Sequence, residues 1–137
     1  MTPEQLAAPD TEFAHQCAVF CYAQQQSVAN PLWALLYAIP NGGMYGDDAK
    51  SRMIRGSKMK ASGVKPGIPD TFLPVAHMSY HGLYIELKKP SEKTKKNGGL
   101  SDEQLIMIPL LQKQGYCVRV CYGWKEAVDV LRWYLEG

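Results

Sequence analysis

The sequence predicts an α/β domain built around a mixed β-sheet with helices on both faces. Three observations carry this reading. Apolar residues recur at helical spacing near both ends, Gly82 to Lys88 alternates in strand fashion, and glycine- and proline-rich breaks separate such segments. The resulting order is helix, strand, helix, two strands, helix, strand, helix, which a sheet with covering helices accommodates.

Residues 1–10 read as a flexible N-terminus. Thr11 to about Ala29 reads as a helix capped by Thr11, with Phe13, Cys17, Phe20 and Cys21 on one apolar stripe. Asn30-Pro31 ends it, because a residue preceding proline avoids the helical region. Leu32 to Ile39 is a continuous apolar run that reads as a buried strand, at least in its second half, and Pro40-Asn41-Gly42-Gly43 as a turn. A basic segment from about Asp47 to Ser62 reads as helical, and Gly63 to Pro69 as a shaped loop. Asp70 opens a short strand, Thr71 to Val75, and His77 to His81 reads as a hairpin connection. In Gly82 to Lys88, Leu83, Ile85 and Leu87 face one way, and Tyr84, Glu86 and Lys88 the other. Lys89 to Gly99 reads as a mobile lysine- and glycine-rich loop. Ser101-Asp102-Glu103-Gln104 is a capping box opening a helix to about Gln114, with Pro109 inside it and Gly115 as its C-cap. Tyr116 to Tyr122 reads as a strand, and Trp124 to Leu135 as a closing helix.

A length of 137 residues fits one compact domain. No apolar run approaches the roughly 20 residues that cross a bilayer, and Met1 to Pro9 lacks the basic and apolar regions of a signal peptide. The reading is a cytoplasmic protein with no membrane partner. The four cysteines fall as Cys17/Cys21 and Cys117/Cys121, spacings that suit core packing better than zinc ligation. His15, His77 and His81 show no ligand spacing either, and Trp33, Trp124 and Trp133 fit packing better than base stacking. Net charge is only +2, but the basic residues cluster: Lys50, Arg52, Arg55, Lys58, Lys60 and Lys65, then Lys88, Lys89, Lys93, Lys95 and Lys96. Clusters of this kind suit a polyanion such as a nucleic-acid backbone, and equally a solvated face.

The chemistry concentrates in Pro69-Asp70 and, sixteen residues on, Glu86-Leu87-Lys88. Period-two geometry puts Glu86 and Lys88 on one sheet face, about 6–7 Å apart along the strand. If the two strands pair as a hairpin, Asp70 lands beside Glu86. Adjacent carboxylates repel unless a positive charge sits between them, and a hard divalent cation such as Mg2+ fills that role. Such a cation polarises a phosphate and lowers the pKa of a bound water. Lys88 can orient that water or neutralise charge on the phosphate, and the Leu87 carbonyl, lying between two site residues, is a further candidate ligand. A salt-bridged sheet surface would use the same residue types.

Pro-Asp, a gap and Glu-x-Lys in an αβββαβ order resemble the PD-(D/E)xK nuclease superfamily. More narrowly, the chain resembles the VRR-NUC family, found as free-standing phage and bacterial proteins and as the C-terminal domain of the Fanconi-associated nuclease. The matching strings are Ile39 to Gly43, Gly63 to Asp70, Gly82 to Lys88, Leu100 to Gln104 and Gly115-Tyr116, with Gly123, Ala127 and Tyr134-Leu135 also fitting. They span about Glu12 to Leu135.

The resemblance implies one restriction-endonuclease-like domain over residues 1–137, an αβββαβ core with a mixed central sheet flanked by helices. It implies catalytic roles for Asp70, Glu86, Lys88, Gln104 and Glu12, with Asp70, Glu86, Glu12 and the Leu87 carbonyl as metal ligands. Gln104 is also the N3 residue of its capping box, and Glu12 complements a helix dipole, so each has a structural explanation too. The implied activity is that of a Mg2+-dependent, structure-selective DNA endonuclease, with Mn2+ substituting. It would act as a homodimer on four-way (Holliday) junctions, and Lys65, Lys89, Arg52, Arg55 and Lys58 would contact DNA. An inactive DNA-binding module, or a nuclease for flaps, linear DNA or RNA, is the alternative.

Overall fold

A four-stranded sheet in the order β1-β2-β3-β4 organises the computed structural model, which describes residues 1–40, 58 and 60–137. The strands are β1 (Tyr37–Ala38), β2 (Thr71–Leu73), β3 (Leu83–Lys88) and β4 (Cys117–Tyr122). The first three run antiparallel, while β4 lies parallel to β3. A parallel neighbour needs a crossover, which α3 (Asp102–Lys113) supplies. The remaining helices are α1 (Pro3–Ala7), α2 (Glu12–Gln26) and α4 (Trp124–Glu136). This is the mixed, helix-flanked αβββαβ arrangement anticipated from the sequence. Among the described residues, no helix is long and apolar enough to cross a membrane.

The core lies on the sheet face bearing Leu83, Ile85 and Leu87. These pack with Leu73, Cys117 and Cys121 beneath Ala18 and Val19 of α2 and Ala127, Val128, Leu131 and Tyr134 of α4. All four cysteines are free; Cys117 and Cys121 pack in the core as expected, whereas Cys17 and Cys21 are only partly buried, and burial pushes the Cys121 thiol up to about 12.

Several local expectations are corrected. The N-terminus contains α1, held by a reciprocal capping box between Thr2 and Gln5, where no element was expected. The apolar stripe of α2 is rotated from the expected one. Phe13 is 55% exposed, whereas Ala14, Ala18, Val19 and Ala23 are buried. Small side chains let this helix approach its neighbours closely, which outweighs the larger transfer energy of Phe13. In the run 32–39 the second half does hold a strand, Tyr37–Ala38, but an exposed one, and the first half is a 3-10 turn over Pro31–Leu35. Asn30 drives the turn, because its side chain accepts from Leu32 N–H and Pro31 presets the backbone. Lys89 to Gly99, expected as an open loop, folds into two 3-10 turns, and Tyr122 Oη donates to Gly98 O at 2.8 Å. Of the expected basic helix, residues 58, 60 and 61 are helical; Lys50, Arg52, Arg55 and the turn at 41–43 lie outside the described residues.

Candidate active site

The second sheet face carries the polar residues of β3. Register pairs Thr71 with Ile85, so the next position places Asp70 opposite Glu86. The hairpin geometry expected from the sequence therefore holds. Asp70 is fixed by its own strand end: its Oδ2 accepts the Leu87 N–H at 2.8 Å, and its carbonyl accepts from Ile39 N–H at 2.7 Å. The preceding loop is pinned as well. Gly67 adopts φ +87°, and a Cβ there would lie 2.5 Å from the Glu103 carbonyl at the start of α3. Only glycine permits that approach, which seats the loop carrying Asp70 against the helix carrying Gln104.

Gln104 proves to do two things at once. Its Oε1 accepts the Ser101 N–H at 2.9 Å, closing the capping box, while its Nε2 donates to Glu86 Oε1 at 2.7 Å. The structural and functional explanations for this residue are thus the same fact. The first turn of α3 positions a donor on a buried carboxylate.

Glu12, at the start of α2, reaches the same point from the other side. One carboxylate oxygen each from Glu12, Asp70 and Glu86 lies within 4.8 Å of the others. The three differ in environment, with Glu86 only 2% and Asp70 9% exposed, whereas Glu12 is open to solvent. Burial, and then the neighbouring Asp70 charge, push the Glu86 carboxyl up to about 9, against a smaller opposing pull from Lys88. Glu12 is also raised, chiefly because its carboxyl is partly withdrawn from water although the residue as a whole is exposed, with Lys88 acting against it. Among the described residues, no hydrogen-bond partner meets the buried Glu86 Oε2. Three converging carboxyls, one with an orphaned buried oxygen, form a donor set of the kind hard divalent cations take.

Lys88 lies one period further along β3. It is 8% exposed, and its Nζ stands 3.9 Å from Glu86 Oε1, a loose pairing that leaves the ammonium close to the carboxyls without being locked to one. Leu87 sends its N–H to Asp70. In a strand the N–H and C=O of one residue leave the same edge, so its carbonyl also faces the carboxyl side.

The basic residues divide. Lys89 is close enough to Glu12 for its charge to act there. Lys65 is exposed in the loop before Asp70, and Lys58 is exposed on the helical turn upstream. Lys93 and Lys95 pair with Glu126 and Glu92 at 3.1 and 2.8 Å. Arg52 and Arg55 lie outside the described residues.

No pattern in the sequence points to the role that His15 plays. Its Nδ1 accepts the Trp124 N–H at 3.1 Å, capping α4, and its Nε2 donates to Asp10 at 2.7 Å. This ties the helix bearing Glu12 to the strand end beyond Lys88. The contact joins residues 109 apart, so no local pattern signals it.

The model of the VRR-NUC domain matches residues 35–125. A solved structure described as "VRR_NUC domain protein" superposes with a TM-score of 0.70 at 28% identity, covering 92% of this chain and 88% of the other. No functionally curated protein matches the chain.

Proposed function

Because the chain belongs to the VRR-NUC family, within the PD-(D/E)xK nuclease superfamily, we propose that it is a metal-dependent endonuclease acting on DNA. The observation that carries the reading is the convergence of Glu12, Asp70 and Glu86 within 4.8 Å, beside the buried Lys88. Asp70, Glu86, Glu12 and the Leu87 carbonyl would hold Mg2+, with Mn2+ as a substitute. A cation so held supplies Lewis-acid polarisation of the scissile phosphate and a bound water of lowered pKa. Glu86, whose carboxyl is raised by burial and then by the Asp70 charge, would have to give up its proton to serve as a ligand. Gln104 keeps the Glu86 oxygen aimed at the site. Lys88 offers its ammonium to the water or to charge growing on the phosphate, in surroundings where few waters screen it. Lys89, Lys65 and Lys58, with Arg52 and Arg55, would neutralise flanking phosphates without reading sequence.

The substrate we propose is branched DNA, a four-way junction cut by a homodimer in the cytoplasm. Two sites related by a two-fold axis match a junction with two symmetric strands. The second copy has a candidate surface. No residue of α3 is buried, and Leu105, Ile106 and Leu110 are 39%, 66% and 52% exposed. Cleavage assays on a labelled four-way junction, a flap, the matching linear duplex and RNA test this reading, with Mg2+, Mn2+ or EDTA. Metal-dependent cutting that is fastest on the junction is expected. Equal rates on all DNAs would remove the junction claim, and binding without cutting would leave a DNA-binding module. Sedimentation tests the dimer, with Ile106→Glu expected to yield monomer.

A further inference from the structure

Register aligns the second sheet face in rows. Tyr37 pairs with Phe72, and Phe72 with Tyr84, so these three rings form one row across β1, β2 and β3. The next row is Asp70 and Glu86, and the one after contains Lys88 beside Tyr122. Rows are separated by two residues, or about 6–7 Å. An aromatic row, an acidic row and a cationic row thus follow each other along β3.

The aromatic row is a shaped surface. Phe72 lies against Tyr84 with ring centres 4.4 Å apart, Tyr37 meets Phe72 at 5.9 Å, and Tyr116 meets Tyr84 at 5.4 Å. Gly82 makes room for it, because a Cβ there would fall 2.7 Å from the Phe72 ring. These rings are not core. Tyr37 is 50% exposed, and Phe72, Tyr84 and Tyr116 are only partly buried. Burial and the neighbouring tyrosines hold the Tyr84 hydroxyl above its ordinary range.

We infer that Tyr37, Phe72, Tyr84 and Tyr116 form a stacking platform for an unpaired base of the DNA strand whose phosphate is held at the neighbouring carboxyl row. The inference rests on the nuclease reading and deepens it, because it makes an unpaired nucleotide beside the cut part of the recognised substrate. Every base has a π-face, so such a platform is indifferent to sequence. Partly exposed aromatic rings adjoining a cation-dependent phosphate site fit a nucleotide, which carries both an apolar ring and an anion. A paired base inside a duplex cannot reach the rings without leaving its stack.

The test uses branched DNA with 2-aminopurine, or an abasic residue, placed in turn at unpaired positions near the branch, with Ca2+ replacing Mg2+ during binding. Wild type should quench 2-aminopurine at one position, and an abasic residue there should weaken binding about tenfold. Tyr37→Leu, at an exposed position, should lose the quenching and bind intact DNA about tenfold more weakly, yet match wild type on the abasic DNA; Tyr37→Phe should behave as wild type. Quenching unchanged by Tyr37→Leu, or equal weakening on intact and abasic DNA, overturns the platform, even if Mg2+ supports cutting. Tyr37-dependent quenching with no cutting in Mg2+ upholds the platform and defeats the nuclease reading instead. Failure to bind DNA overturns both. The abasic arm needs no variant, so it stands if a substitution unfolds the chain.

Discussion

Gln104 Nε2 donates to Glu86 Oε1 at 2.7 Å while the same side chain closes the cap of α3. The helix start and the buried carboxyl are therefore one hydrogen-bonded unit, and substitutions can separate its two duties.

Gln104→Glu keeps an acceptor for the Ser101 N–H, because glutamate serves a capping box as well as glutamine. It removes the donor to Glu86 and sets a carboxylate against it. The expected result is a melting temperature near that of wild type with cleavage reduced at least tenfold. Gln104→Ala should lose both, costing about 1–2 kcal/mol of stability as well. Thermal melts and single-turnover cleavage of the two variants check this.

Glu86 carries a pH signature. Its folded-state carboxyl is pushed up to about 9 from an ordinary 4.5. The folded chain then holds a proton that the unfolded chain has released, so this group's contribution to stability falls as pH rises between those values. Glu86→Gln should be more stable than wild type at pH 8 without added metal, the difference vanishing near pH 4, and should be inactive. Because the cation displaces the proton, Mg2+ affinity should rise with pH across the same window, approaching tenfold per unit for one released proton. Denaturant melts and calorimetric Mg2+ titrations at several pH values measure both.

Gly67 is the point where the loop bearing Asp70 touches α3. Gly67→Ala combines an unfavourable φ with a Cβ aimed at the Glu103 carbonyl. We expect a loss of about 1–3 kcal/mol and lowered cleavage, because Asp70 and Gln104 lose their common support. Gly63→Ala is the comparison: its φ is also positive, but a Cβ there meets none of the described residues within 4 Å. Cleavage by that variant should stay closer to wild type. Melts and initial rates side by side decide it.

The parts of the site that sequence made legible are those set by short-range rules. Period two placed Glu86 and Lys88 on one face, the hairpin put Asp70 beside Glu86, and Ser101 with Gln104 announced a cap. The places of Glu12 and Gln104 beside the carboxyls came from the family resemblance, since neither spacing reveals which helix end reaches which strand. What stayed hidden depended on tertiary contact. The α2 stripe was misjudged because close helix packing rewards Ala14 and Ala18 over Phe13. The first half of the apolar run 32–39 does not announce its 3-10 turn, because apolar character alone cannot separate an extended segment from a tight turn capped by Asn30. His15 acts through Trp124, and no local pattern predicts a cap supplied from another helix.

The central claim is that the carboxyl cluster and Lys88 cut DNA with a bound divalent cation. The most direct measurement is single-turnover cleavage of one labelled four-way junction over a Mg2+ titration, comparing wild type with Asp70→Asn and Lys88→Ala. The account predicts saturable, EDTA-sensitive cutting by wild type, with both variants slowed by at least a hundredfold while still folded and still binding the junction. Cutting by either variant at the wild-type rate, or wild-type cutting that persists in EDTA, would contradict it.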